Sequence, residues 1–105
     1  MPRIVRLSVE TPMTVHDATE AFGSDLRVNL IRHYRTSPGP QRSAVEALGA
    51  NSQAVSHNTR ILVASGVVVV EDSDDKRSPV CRVDEVRLRE LIEALGTFTA
   101  GSASE

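Results

Sequence analysis

LGANSQAVSHNTRILVASGVV, residues 48–68, holds a turn, a helix and a stop in that order. Asn51 and Ser52 stand where a side-chain oxygen caps a helix by accepting orphan backbone N–H groups, and Gly66 stands where a left-handed residue ends one. The spacing predicts a helix over residues 52–65. Within it Val55, Thr59 and Leu62 recur at i, i+4 and i+7, a narrow inward stripe that Ile61 widens by one neighbour. The opposite face is polar and carries Ser52, Gln53, Ser56, His57 and Arg60, with Ala54 as a small apolar addition. After the glycine, VVVV at 67–70 is a β-branched strand and PVCRV at 79–83 is its partner, joined by the polar loop EDSDDKRS at 71–78. Turn, helix, glycine and hairpin follow one another without a gap.

Upstream, TSPGP at 36–40 is a turn that no helix crosses, because two prolines and a glycine remove donors and fix the backbone. A short helix over residues 41–48 is expected after it, burying Ala44, Val45 and Leu48. Before it, Leu26, Leu30, Ile31 and Tyr34 lie at helical spacing, and Gly23, Ser24 and Asp25 separate them from an earlier helix. That earlier helix is read as capped by Thr14, with Val15, Ala18 and Phe22 facing inward. Residues 1–13 are an arm, either a strand or a disordered tail. Downstream, Asp84 caps a last helix whose Leu88, Leu91, Ile92 and Leu95 form an apolar stripe. The domain is placed at residues 14–96, and residues 97–105, small and polar, at a flexible tail.

The fold class is therefore α+β and mostly helical, with a two-stranded sheet. At 105 residues the chain holds one core. With 40% hydrophobic residues and only Phe22, Tyr34 and Phe98 as aromatics, that core is built from Val, Leu, Ile and Ala. Such a domain has little surface to cover the apolar stripes of its first and last helices, and homodimerisation through them is expected.

Net charge is −2, but it is unevenly distributed. Residues 26–66 carry five arginines against the single acid Glu46, whereas both flanks carry an excess of acids. The positive segment is the one that holds the polar-faced helix, which concentrates attraction for phosphates there. No apolar run approaches the roughly 18 residues that span a bilayer, and the N-terminus lacks the apolar centre and cleavage site of a secretory signal, so a cytoplasmic protein without a membrane partner is expected. Eleven arginines against one lysine suit a GC-rich bacterial genome.

The wording of residues 48–68 resembles the helix-turn-helix of ArsR-type winged-helix repressors, close to LGxSQxxVSxHLxxLxxAGLV. Leu48, Gly49, Val55, Ser56, Leu62, Gly66 and Val68 carry the match. AFGSDLRVNLIRHY, residues 21–34, is similar to that family's first core helix. Thr59 stands where the family has leucine, and Val63 where it has a charged residue. The loop and second strand, DSDDKRSPVCRV at 72–83, look more like the D-x-x-D-[RK]-R wing of MarR-type regulators.

The resemblance implies a winged helix-turn-helix with N- and C-terminal dimerisation helices, double-stranded DNA as partner and a role as repressor. The polar side chains at 52–60 would read base edges in a major groove about 12 Å wide. Arg60 suits a phosphate or the O6/N7 edge of guanine, Gln53 suits adenine, and Ala54 suits a thymine methyl. Arg42 and Ser43, at the start of the preceding helix, would position a phosphate. In the MarR-like wing Arg77 would probe the minor groove with Asp75 holding it and Lys76 beside it. Alternatively the acids Glu71, Asp72, Asp74 and Asp75 keep the wing off DNA.

Other chemistries are poorly supplied. A polar helix face is ordinarily just solvated, so the order of elements weighs more here than composition. Ser56 and His57 are adjacent and point to different faces, which denies them a serine–histidine contact, and no enzyme is expected. Cys81 is the only cysteine, so an internal disulfide and a thiolate cluster within one chain are excluded. The last helix has no histidine, and His16, Asp17 and Glu20 form only a loose trio, so neither metal nor cofactor is expected. A small-molecule effector is compatible with the chain and is left unidentified. Two other readings stay open, a winged-helix module for protein–protein contact and an accessory or architectural DNA-binding protein of a mobile element.

Overall fold

The computed structural model describes residues 11–73 and 78–101. The elements run α1 (Met13–Phe22), α2 (Asp25–Thr36), α3 (Gln41–Leu48), α4 (Ser52–Ser65), β1 (Val68–Glu71), β2 (Val80–Val83) and α5 (Glu85–Thr99). Helix α4 has the bounds that the capping residues predict. Asn51 accepts hydrogen bonds from the backbone N–H groups of Gln53 at 2.8 Å and Ala54 at 3.1 Å. At the other end Gly66 is left-handed, with φ 88°. The next N–H, of Val67, reaches back to the Leu62 carbonyl at 3.1 Å, closing the helix in the manner of a Schellman turn, and Val67 is fully buried beneath it.

Three helices stack around this one. Helix α1 packs most extensively on α5 and then on α4, while α2 and α3 cover the other side of α4. Leu30, Tyr34, Val55, Leu62, Val67 and Leu91 form the sealed centre of the core, with none of their surface exposed. Thr59 belongs to it as well. Its hydroxyl meets that of Tyr34 at 2.9 Å, so this buried polar group is satisfied in place.

Strands β1 and β2 are antiparallel, pairing Val68 with Val83, Val69 with Arg82, Val70 with Cys81 and Glu71 with Val80. Side chains alternate along β2, with Cys81 and Val83 buried and Arg82 exposed. The SPGP segment is more than a turn. The Gly39 N–H donates to the Cys81 carbonyl at 3.1 Å, and the Cys81 N–H donates to the Gly39 carbonyl at 2.7 Å. Strand β2 is thereby flanked by β1 on one edge and by the α2–α3 connection on the other.

Four expectations need correction. Thr14 is not a cap: α1 starts at Met13 directly after Pro12, whose extended backbone (φ −56°, ψ 147°) leads the chain into the helix without a side-chain hydrogen bond. Ala21 rather than Phe22 fills the last inward position of α1, and Phe22 is half-buried. Helix α5 continues through Gly96 to Thr99, because the left-handed glycine that ends it is Gly101 at φ 84°. Finally, Ile92 is 54% exposed, so the inward stripe of α5 consists of Leu88 and Leu91, with Leu95 partly covered. Most of the arm at residues 1–13, the wing tip and the end of the tail lie outside the described residues.

Candidate nucleic-acid interface

Helix α4 presents its polar residues along one exposed face. Ser52, Gln53, His57 and Arg60 are exposed, and Ala54 and Ser56 are half-buried beside them. The Arg60 guanidinium leans back on the Ser56 hydroxyl at 3.4 Å, one turn away. These side chains start at the capped N-terminus, so the helix offers short hydrogen-bonding groups where its backbone dipole is positive.

Arg27 fixes how that face is turned. Its Nε donates to the Glu20 carbonyl at 2.6 Å and its Nη1 to Asn58 Oδ1 at 2.7 Å, while Asn58 Nδ2 donates back to the Ala54 carbonyl at 2.8 Å. One arginine from α2 therefore joins the end of α1 to the middle of α4. Neither Arg27 nor Asn58 is singled out by the sequence pattern, since the two are separated by 31 positions and carry no local signature.

Helix α3 runs in ahead of α4 and places Arg42 and Ser43 differently. Arg42 is exposed, and its Nη2 reaches the Ser78 hydroxyl at 3.4 Å across an open groove of about 210 Å³ between α3 and the wing. The Ser43 hydroxyl instead donates to the Pro40 carbonyl at 2.7 Å and lies 3.1 Å from His33 Nε2. Arg42 is thus exposed toward the wing, whereas the Ser43 side chain is engaged in joining α3 to α2. Lys76 and Arg77, with Asp74 and Asp75, lie outside the described residues. At the stem of the wing Arg82 pairs with Glu71 across the strands, and that hydrogen bond holds the Glu71 carboxyl below the usual range and the Arg82 guanidinium above it.

Beneath α4, burial sets the protonation of two groups. Burial pushes the Tyr34 phenol up to about 12 against the lowering effect of Thr59. Burial likewise raises the Cys81 thiol, which lies against Tyr34. A protonated, buried thiol is a packing group and not a nucleophile. Among the described residues no group of three or more His, Cys, Asp or Glu side chains is arranged to hold a metal, and Asp17 of the N-terminal trio is bonded to Arg87 at 2.7 Å. No helix among the described residues is long and apolar enough to cross a membrane.

A capped, polar-faced helix preceded by a short helix and followed by a hairpin is a winged helix-turn-helix. The sequence matches no protein-family model and no curated protein. Solved structures do match in shape. An ArsR-like transcriptional regulator from Rhodococcus sp. RHA1 superposes with a TM-score of 0.73 at 17% identity, over 85% of this chain and 82% of that one. A second ArsR family regulator gives 0.68 at 11% identity, over 90% of this chain and 98% of that one. A transcriptional regulator from Thermotoga maritima gives 0.57 at 17% identity, over 85% and 69% of the two chains. The chain has the ArsR-like form of the winged helix-turn-helix fold.

Proposed function

We propose that this protein is a sequence-specific, double-stranded DNA-binding transcriptional regulator, acting as a dimeric repressor with α4 in the major groove. The observation that carries the reading is the row Ser52, Gln53, His57 and Arg60, exposed on a helix whose other face is sealed into the core. Three proteins of similar fold are named transcriptional regulators, which supports the same assignment. Arg60 and Gln53 are the base-reading candidates, Ala54 and Ser56 line the contact, and Arg42 anchors a phosphate ahead of them.

Dimerisation is supported by apolar side chains left open at the ends and edge of the helical layer. Met13 on α1 is 71% exposed, and Val86 and Ile92 on α5 are 61% and 54% exposed. Beside Ile92 runs a groove of about 330 Å³ between α2 and α5, floored by Phe22, Val28, Ile31 and Leu88. A two-fold pair would present its α4 helices about 34 Å apart, one turn of duplex, and would read a pseudo-palindrome.

Fluorescence anisotropy tests the reading with two duplexes, the one upstream of the protein's own gene and a scrambled copy, across a salt series. Tight binding to the native duplex, a steep salt slope and loss on Arg60→Ala are expected. Equal binding to both duplexes removes sequence specificity, and no binding at low salt favours a protein-interaction module.

A further inference from the structure

Among the described residues three long-range side-chain hydrogen bonds hold α4 in place: Tyr34 to Thr59, Arg27 to Asn58, and Arg87 to Ser65. The first two act on the middle of the helix. The third acts on its C-terminal end, and it alone of the three comes from α5.

Arg87 uses all three guanidinium nitrogens. Its Nε donates to the Ser65 carbonyl at 3.0 Å, its Nη2 to Asp17 Oδ2 of α1 at 2.7 Å, and its Nη1 to Glu90 Oε1 of α5 at 3.1 Å. The side chain is 25% exposed and that of Asp17 22%, so this is a partly sheltered contact and not a loose surface pair. Its stem lies on the bare α-carbon of Gly66, where an added Cβ would come within 3.2 Å of Cγ and 3.0 Å of Nε. Helix α4 has no basic residue in its own last turn, so Arg87 supplies the cation that the negative end of the helix favours. The root of Arg87 is fixed too. Asp84 accepts a hydrogen bond from its N–H at 3.1 Å, and the Asp84 N–H donates to the Val67 carbonyl at 2.8 Å.

We infer that Arg87 is a positioning residue for DNA recognition: it locks the end of the reading helix to the α1–α5 pair and thereby sets the angle and separation at which two reading helices meet a duplex. The inference rests on the proposed dimeric DNA-binding function. Arg87 sits at the opposite end of α4 from Ser52 and Gln53, so its removal leaves the proposed contacting side chains in place and alters only their relation to the rest of the dimer.

The test uses a palindromic duplex that the wild-type chain enriches from a random-sequence pool, its isolated half, and a series in which the halves are moved apart by one to three base pairs. Arg87→Met keeps the apolar stem and removes every donor. This variant is expected to lose about tenfold in affinity for the intact palindrome. It should also lose its preference for one spacing, with half-site affinity and circular dichroism unchanged. Asp17→Ala, which removes one arm only, gives a smaller change in the same direction and covers the case in which Arg87→Met does not fold. A folded variant with unchanged spacing preference overturns the inference, and so does a proportional loss on half-site and palindrome, which marks a merely structural role. If the wild-type chain enriches no palindrome, the dimeric DNA-binding reading fails and the inference fails with it, an outcome separate from the behaviour of the variants.

Discussion

The Tyr34 and Thr59 hydroxyls are 2.9 Å apart in the middle of the core, with 0% and 1% of the respective residues exposed. Each satisfies the other where no water reaches. Thr59→Val therefore keeps the shape and leaves the phenol only the weakly bonding Cys81 thiol as partner, at a cost of about 1–3 kcal/mol. The double variant Tyr34→Phe with Thr59→Val should recover much of that loss, because removing both hydroxyls leaves only the weak hydrogen bond of the Cys81 thiol unmade. Urea unfolding of the four proteins in a double-mutant cycle checks the coupling.

The same phenol sets an alkaline limit. Its folded pKa of about 12 lies above the ordinary 10, so the folded state holds the proton that the unfolded chain releases first. The contribution is intact below pH 10 and is lost between pH 10 and about 12. The urea midpoint of the wild type should fall more steeply over that interval than that of Tyr34→Phe.

Gly49 and Gly66 are both left-handed, at φ 62° and 88°, but their surroundings differ. Nothing lies within 4 Å of a Cβ added at Gly49, whereas one at Gly66 meets Arg87 Nε at 3.0 Å. Gly49→Ala is expected to cost only the backbone strain, about 1 kcal/mol. Gly66→Ala should cost more and should also disturb the contacts of Arg87. Paired thermal melts separate the two.

Leu91 and Ile92 are neighbours with opposite duties. Leu91→Ala empties a fully buried site and should cost about 2–5 kcal/mol. Ile92→Glu changes an exposed position, so the monomer should stay folded while the proposed dimer dissociates. Sedimentation equilibrium with circular dichroism distinguishes these outcomes, and a dimer that survives Ile92→Glu moves the interface elsewhere.

Cap removal tests helix α4 directly. Asn51→Ala releases the Gln53 and Ala54 N–H groups and should cost about 1 kcal/mol, with fraying confined to the end that carries the proposed contacts. DNA affinity should fall while the urea midpoint moves down by no more than about 1 M.

The parts of this fold that local chemistry controls are legible in the sequence. Asn51, Gly66 and Asp84 mark element ends because a capping oxygen or a left-handed glycine acts on residues next to it. Val55, Thr59 and Leu62 mark the inward face because the period of a helix is fixed. Gly96 misleads for the same reason: a glycine can stop a helix but need not, and here Gly101 does so. The side chains that orient helix α4 leave no such mark. Arg27 meets Asn58 across 31 positions, and Arg87 meets Asp17 across 70. Composition displays eleven arginines and does not tell the two structural ones from Arg42 and Arg60. Ser43 looks like a phosphate ligand by position, but its hydroxyl turns inward to Pro40 and His33.

The reciprocal pair of hydrogen bonds between Gly39 and Cys81 bears on how the molecule breathes. A hairpin attached along a single edge opens by local fluctuations, and its amides exchange with solvent long before the domain unfolds. Here the Cys81 amide points away from β1 and into the α2–α3 connection, over a side chain buried against Tyr34. Releasing that proton requires parting the root of the wing from the body of α2, so the stem belongs to the same cooperative unit as the core.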